Sequence, residues 1–128
     1  MLAHGYLKNF VDLDLIKKIN SECKIFLSKQ KKLTNYYPKF DFEIPETRNL
    51  LNSKILSQVK NLLLTDNFEL KAVELHIQNS FGPSIPYHQD NFYHCCESDK
   101  GLKILIPLQE LNKKNGALGF LNHEYNYP

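Results

Sequence analysis

The chain has 128 residues, of which 42% are hydrophobic and 23% charged, and its formal net charge is +2. These values are typical of one globular domain, and the small positive charge favours neither nucleic acid nor an anionic membrane as a partner. Three cysteines, an odd count with Cys95 beside Cys96, argue against a disulfide framework. With no leader pattern and no long apolar run, we expect a cytoplasmic protein without a membrane span.

Two amphipathic helices are predicted in the first half. In the first, apolar residues recur at spacings of three and four: Ile16, Ile19, Cys23, Phe26 and Leu27. Asp12 or Asp14 is expected to cap its start, and a solvated lysine cluster marks its end: Lys29, Lys31 and Lys32. The second helix repeats the spacing: Leu51, Ile55, Val59, Leu62 and Leu63. Residues 34–45, rich in aromatics and with two prolines, are predicted to form an irregular connection.

Extended structure is predicted after residue 66. Apolar and polar residues alternate over residues 73–78, which indicates a half-buried strand with His76 on its polar face. Further extended pieces are predicted at residues 85–93, 103–108 and 117–121, with Asn115-Gly116 as a tight turn between the last two. The chain is therefore predicted to be a single α+β domain, helical over about 1–66, with the first strands of a sheet or barrel over about 67–128.

His88 and Asp90 are the candidate metal ligands. On an extended strand, side chains two residues apart lie on one face, so this imidazole and this carboxylate can converge on one ion. That pair suits Fe(II), and a third ligand would complete a two-His, one-carboxylate triad with open positions. A lone His-x-Asp is weak evidence, because about a quarter of chains with this composition would contain one by chance.

The surrounding order of elements resembles the phytanoyl-CoA dioxygenase family of Fe(II)- and 2-oxoglutarate-dependent oxygenases. The segment Tyr87-His88-Gln89-Asp90 is similar to the family's metal-binding segment, and an apolar strand over 102–108 follows it. Asn115-Gly116 and residues 117–121 then resemble the family's next turn and strand, ending near His123. The turn differs from the family's Pro-Gly-Ser-His, since Leu121-Asn122-His123 stands there, and His123 matches a histidine that is not a ligand.

The resemblance implies a fold and a reaction. The fold is a double-stranded β-helix, a jelly-roll-like cupin barrel, packed against N-terminal helices. The reaction hydroxylates a small organic substrate, consumes O₂, converts 2-oxoglutarate to succinate and CO₂, and uses ascorbate to keep iron reduced. Gln78 and Gln89 are candidate contacts for 2-oxoglutarate. The family's second metal histidine and its 2-oxoglutarate arginine would lie beyond residue 128, so we expect an N-terminal fragment that is inactive alone.

Two alternatives stay open. His94-Cys95-Cys96 could join His88 and Asp90 in a zinc site, although structural zinc usually uses separated cysteine pairs. The chain could instead be a non-catalytic β-domain, serving as a binding or interaction module or surviving as a degenerate remnant of the family. Neither the substrate nor the oligomeric state is specified by the sequence.

Overall fold

The computed structural model describes residues 6–78 and 101–119. In chain order these residues form helix α1 (Leu13–Ser28), strand β1 (Tyr36–Tyr37), the one-turn helix α2 (Phe40–Glu43), a 3₁₀ helix (Pro45–Leu50), helix α3 (Ser53–Leu63) and strand β2 (Leu75–His76). Strands β1 and β2 pair antiparallel, with Tyr36 opposite His76 and Tyr37 opposite Leu75. Among these residues, no helix is both long and apolar enough to cross a membrane.

Helix α1 confirms the first predicted helix. Asp12 is its N-cap, and the Asp12 carboxylate accepts a hydrogen bond of 2.7 Å from the Asp14 backbone N–H. This bond satisfies one of the amide donors that a helix start leaves without a partner. The helix buries Ile19 and Cys23 and ends at Ser28, and the three lysines that follow it are exposed as predicted.

Helix α3 confirms the second predicted helix, with a shorter extent. Asn52 caps it by accepting a hydrogen bond of 3.0 Å from the Ile55 N–H, so Leu51 lies before the helix rather than in it. Ile55 and Val59 are buried, whereas Leu62 is exposed. The apolar stripe is therefore narrower than its sequence pattern indicated.

The connection between these helices is more ordered than predicted. Residues 34–45 contain β1 and α2, so the prediction of an irregular connection was wrong. Aromatic packing explains the order: the Phe26 ring contacts the Tyr37 ring at 5.3 Å and the Phe40 ring at 5.4 Å, both edge to face. Phe40 is also anchored to the second half of the chain, because its N–H donates to the Val73 carbonyl at 2.8 Å.

The core lies between α1, α2 and the 3₁₀ helix. Its buried members are Ile19, Cys23, Phe40, Ile44 and Leu50. Half-buried side chains from both strands and from residues 101–119 pack against it: Tyr37, Leu75, Ile106 and Leu108. The Asn20 amide also donates to the Leu108 carbonyl at 2.9 Å, which fastens the last described segment to α1.

The predicted strands are only partly present. The strand expected over residues 73–78 is reduced to Leu75–His76, and residues 101–119 contain neither helix nor strand. A turn before residue 117 is confirmed, since the Asn115 and Ala117 N–H groups both donate to the Asn112 carbonyl at 3.1 Å, but the two antiparallel strands that it was predicted to join are absent from residues 101–119. A strand requires a hydrogen-bonded neighbour, which an apolar run cannot supply by itself. The double-stranded β-helix stays a prediction, since the sheet within the described ranges has two strands.

Candidate functional site

The residues predicted to bind metal lie outside the described ranges. These are His88, Gln89 and Asp90, and the same holds for His94, Cys95, Cys96 and His123. Their placement on one face of a strand therefore stays a prediction. Within residues 6–78 and 101–119, no three histidine, cysteine, aspartate or glutamate side chains are grouped closely enough to hold a metal.

The polar face of the two-stranded ribbon is the first polar cluster that the described residues form. Alternation along the chain puts Glu74 and His76 on one face, and the strand register puts Tyr36 opposite His76. The Tyr36 hydroxyl donates to Glu74 Oε1 at 2.6 Å, and His76 Nε2 lies 3.2 Å from Glu74 Oε2. The Tyr36 and His76 rings pack with their centroids 5.1 Å apart. One carboxylate thus bridges a phenol and an imidazole.

The hydrogen-bond partners indicate which ring nitrogen of His76 donates to Glu74. An ionised carboxylate only accepts hydrogen bonds, so Nε2 of His76 carries the proton of the bond to Glu74, and in the neutral ring the lone pair lies on Nδ1. The hydrogen bond to Glu74 raises the pKa of Tyr36, and slight burial and the negative charge of Glu74 add to this effect. The raised pKa favours the protonated form of Tyr36, and the contacts with Glu74 and Tyr36 orient the imidazole of His76. The prediction that His76 lies on the polar face is confirmed.

Gln78 continues this face two residues past His76, as predicted, and is exposed. Its side chain lies against the turn at Gly116, where an added Cβ would be 2.9 Å from the Gln78 Cγ. Gly116 also has a φ of +92°, a conformation that favours glycine. Gln78 therefore has a packing contact with the turn of residues 112–117. Its contact with 2-oxoglutarate stays a prediction.

Asp41 and Arg48 form a second polar group, which the sequence did not reveal. Asp41 is only 9% exposed, and its Oδ2 lies 2.9 Å from Arg48 Nε and 2.7 Å from Arg48 Nη2. The guanidinium carbon lies 5.7 Å from the centroid of the Phe42 ring. The missed signal was the position of Asp41 directly after Phe40, which is buried in the core, since a buried carboxylate requires a cationic partner.

Cys23 is the free thiol of the described part of the chain, and it is buried in the core. Burial raises the pKa of Cys23 to about 11, with a smaller contribution from Glu22. Because the thiolate is the nucleophile and the metal ligand, a buried thiol with this pKa is inert near neutral pH. Every buried side-chain nitrogen or oxygen among the described residues has a hydrogen-bond partner, so the core contains no vacant polar atom aimed at a ligand.

Comparisons with protein-family profiles, with curated proteins and with solved structures find no match for this chain.

Proposed function

We propose that this chain is the N-terminal part of an Fe(II)- and 2-oxoglutarate-dependent dioxygenase resembling the phytanoyl-CoA dioxygenase family. The observation that carries the proposal is the sequence Tyr87-His88-Gln89-Asp90, followed by an apolar segment and an Asn-Gly turn. A His-x-Asp pair alone is weak evidence for a metal site, and the order of the elements around it strengthens that evidence. The substrate class is a small organic molecule with an oxidisable C–H bond, and we propose a cytoplasmic setting.

The donor set fits iron. A neutral imidazole from His88 and a carboxylate from Asp90 are two of the three ligands of a facial triad, which leaves positions for a co-substrate and O₂. Bound iron would supply the oxidising chemistry that inserts oxygen into the substrate. The protein's part is to hold the metal, orient the substrate and exclude water. A carboxylate at position 90 favours hydroxylation over halogenation, because halogenases have a small residue in the corresponding place.

Two features of the described residues support the proposal. The first is the turn of residues 112–117, which includes Asn115 and Gly116, because the resemblance includes an Asn-Gly turn in this part of the sequence. The polar face of β2 also continues through Gln78, ten residues before His88 in the sequence. Gln78 and Gln89 remain the candidates for contact with 2-oxoglutarate. The resemblance places the second metal histidine and the co-substrate arginine downstream of residue 128.

Succinate formation tests the proposal directly. The 128-residue chain and the form extended along its reading frame would each receive Fe(II), ascorbate, 2-oxoglutarate and a panel of substrates. We expect turnover from the extended form and little from the 128-residue chain, because positioning of the metal and the co-substrate supplies much of the rate.

In the extended form, Asp90→Ala should abolish succinate formation, because a metal ligand is lost. Asp66→Ala is the matched control, since Asp66 is an exposed carboxylate that pairs with Lys60 at 3.0 Å. Equal loss from both variants would argue against a metal role for Asp90. Full activity from the 128-residue chain would show that the third ligand lies within it, and His76, His94 and His123 would be the first to substitute. Tight zinc binding without iron-dependent turnover would favour the cysteine-containing site.

A non-catalytic interaction module is the second candidate function. It is favoured by the exposed apolar side chains of residues 101–119: Leu102, Ile104, Leu105, Leu111 and Leu118. Apolar groups concentrated in one short segment are typical of surfaces that bind another protein. This alternative predicts a folded protein in which Asp90→Ala changes neither metal content nor any binding property.

A further inference from the structure

A cleft formed around α2 brings charged and apolar side chains together, and the Asp41–Arg48 pair is part of its lining. It has a volume of about 460 Å³ and lies between α2, the 3₁₀ helix and the segment that leads into β2. The Phe40 N–H joins two of these walls through its 2.8 Å bond to the Val73 carbonyl. Among the described residues, Gln78, a candidate contact for 2-oxoglutarate, does not line the cleft.

The charged groups that the described residues place at the cleft leave an excess of one positive charge. Its cations are Lys39, Arg48 and Lys71, and the carboxylates beside them are Asp41 and Glu69. Arg48 pairs with Asp41, and Lys71 pairs with Glu69. Lys39 makes no ion pair with another described residue, so it supplies the net charge at the cleft. A single anionic group is what this balance would attract.

The apolar part of the cleft is exposed to solvent. Phe42 is 73% exposed and Leu70 is 54% exposed, and both line the cleft beside the cations. The stacking of Arg48 on Phe42, together with its bonds to Asp41, holds the guanidinium in place and leaves much of the aromatic surface open. An apolar body placed against Phe42 and Leu70 would lose water-exposed surface while its charged end stayed near Lys39.

The backbone of Lys39, at the edge of the cleft, has an unusual conformation. Lys39 has a φ of +53° and a ψ of +39°, the left-handed conformation that lysine rarely adopts. The strain is held by its neighbours, since Phe40 and Asp41 are both buried. Such conformations concentrate at ligand-binding positions, where the surrounding structure enforces them.

We propose that this cleft binds a monoanionic amphiphile, that is, a small carboxylate carrying an aromatic or aliphatic body. The carboxylate interacts with Lys39 and with the outer edge of Arg48, and the body packs on Phe42 and Leu70. The contacts proposed for the ligand are Lys39, Arg48, Phe42 and Leu70, and none of these is assigned a role in the proposed iron chemistry. Asp90→Ala should therefore leave this binding unchanged.

The probe for the test is 4-phenylbutyrate, titrated into the protein and followed by amide chemical shifts in NMR. Acetate is the control for the charge alone, and 4-phenylbutanol is the control for the apolar body alone. We expect saturable shifts of the cleft residues with 4-phenylbutyrate, binding at least about 3-fold weaker with either control, and weakening by added salt. Equal affinity for 4-phenylbutanol would overturn the role of charge and with it the proposal.

Two matched pairs of variants locate the site. Lys39→Asn removes the charge and suits the left-handed backbone, so it should weaken binding about 3-fold without lowering the melting temperature. Lys32→Asn, at an exposed lysine outside the cleft, should leave affinity unchanged.

Phe42→Ala should weaken binding about 5-fold, whereas Leu13→Ala, at a comparably exposed apolar residue on α1, should have no effect. Equal effects within either pair would show unspecific association and would refute the proposal.

Discussion

The helical region of residues 13–63 and the segment of residues 101–119 are both rich in apolar residues, yet they bury them differently. In the helical region, four of the residues at helical spacing are buried, and Ile19 is fully inaccessible to solvent: Ile19, Cys23, Ile55 and Val59. In the segment, Ile106 and Leu108 pack on the core while Leu102 and Leu105 remain exposed. An amphipathic helix satisfies its own backbone and needs only one packing surface. An extended segment needs a neighbouring strand before both of its faces can be used.

The largest expected effect comes from removing the most buried side chain of the helical region. Ile19→Ala should lower the free energy of unfolding by about 2–5 kcal/mol, because it leaves a cavity in a core that cannot fully collapse. Ile104→Ala makes the same chemical change in the segment and should cost less than about 1 kcal/mol, since Ile104 is already exposed. Urea denaturation of both variants measures the difference. Similar losses would mean that the segment contributes to the core as strongly as α1.

The sequence predicts the local features of the helical region better than the contacts between distant segments. The cap of α1 and the buried positions of both helices follow from local patterns, because helix bonds connect residues four apart. The cap of α3, Asn52, was not predicted. The pairing of Tyr36 with His76 does not, since nothing within either strand specifies a partner about 40 residues away. The polar face with His76 was predictable, because alternation is a local pattern. The hydrogen bond between Glu74 and Tyr36 was not, because it depends on the pairing of the two strands. The contact of Asp41 with Arg48 depends on the turn between α2 and the 3₁₀ helix.

The second prediction concerns the free energy of unfolding at alkaline pH, which depends on the buried Cys23 thiol of the helical region. Burial raises the native pKa of Cys23 to about 11 from an ordinary value of 9.0. Below pH 9 both states keep the thiol proton, so the full stability is present. Between pH 9 and 11 the unfolded chain loses the proton first, and stability falls by an amount on the order of 2 kcal/mol.

Cys23→Ala should remove this part of the alkaline loss when urea stability is compared at pH 8 and pH 10.5. The raised pKa of Tyr36 acts with the same sign, because its hydroxyl also keeps its proton longer in the native state. The comparison is therefore made in a Tyr36→Phe background. An unchanged pH slope in the double variant would show that Cys23 is solvated in the native protein.

The smallest expected effects concern two asparagines that satisfy backbone groups in the two regions. Asn52→Ala removes the cap of α3 and a bond from the Asn52 amide to the Phe10 carbonyl, and should cost about 1–2 kcal/mol. Asn115→Ala removes comparable bonds to the Asn112 N–H and the Glu110 carbonyl, but in an exposed turn. We expect a cost of about 0.5 kcal/mol or less there.

Urea denaturation of these two variants tests whether the regions unfold together. If Asn115→Ala were as costly as Asn52→Ala, the turn of residues 112–117 would belong to the same cooperative unit as α3. A large loss of amide protection in the turn without a change in global stability would show the opposite.

The pairing of β1 with β2 has a consequence for the order of folding. The ribbon closes a loop of about 40 residues that contains α2, the 3₁₀ helix and α3. Closing a flexible loop of this length costs roughly 3 kcal/mol of chain entropy, which two residue pairs cannot offset by themselves. Helix formation within the loop must therefore reduce its flexible length first, and the pairing of β1 with β2 is a late step in folding. The Ile77 amide, bonded to the Asn35 carbonyl at 2.9 Å, would be slow to gain protection during refolding, after the amides of α1.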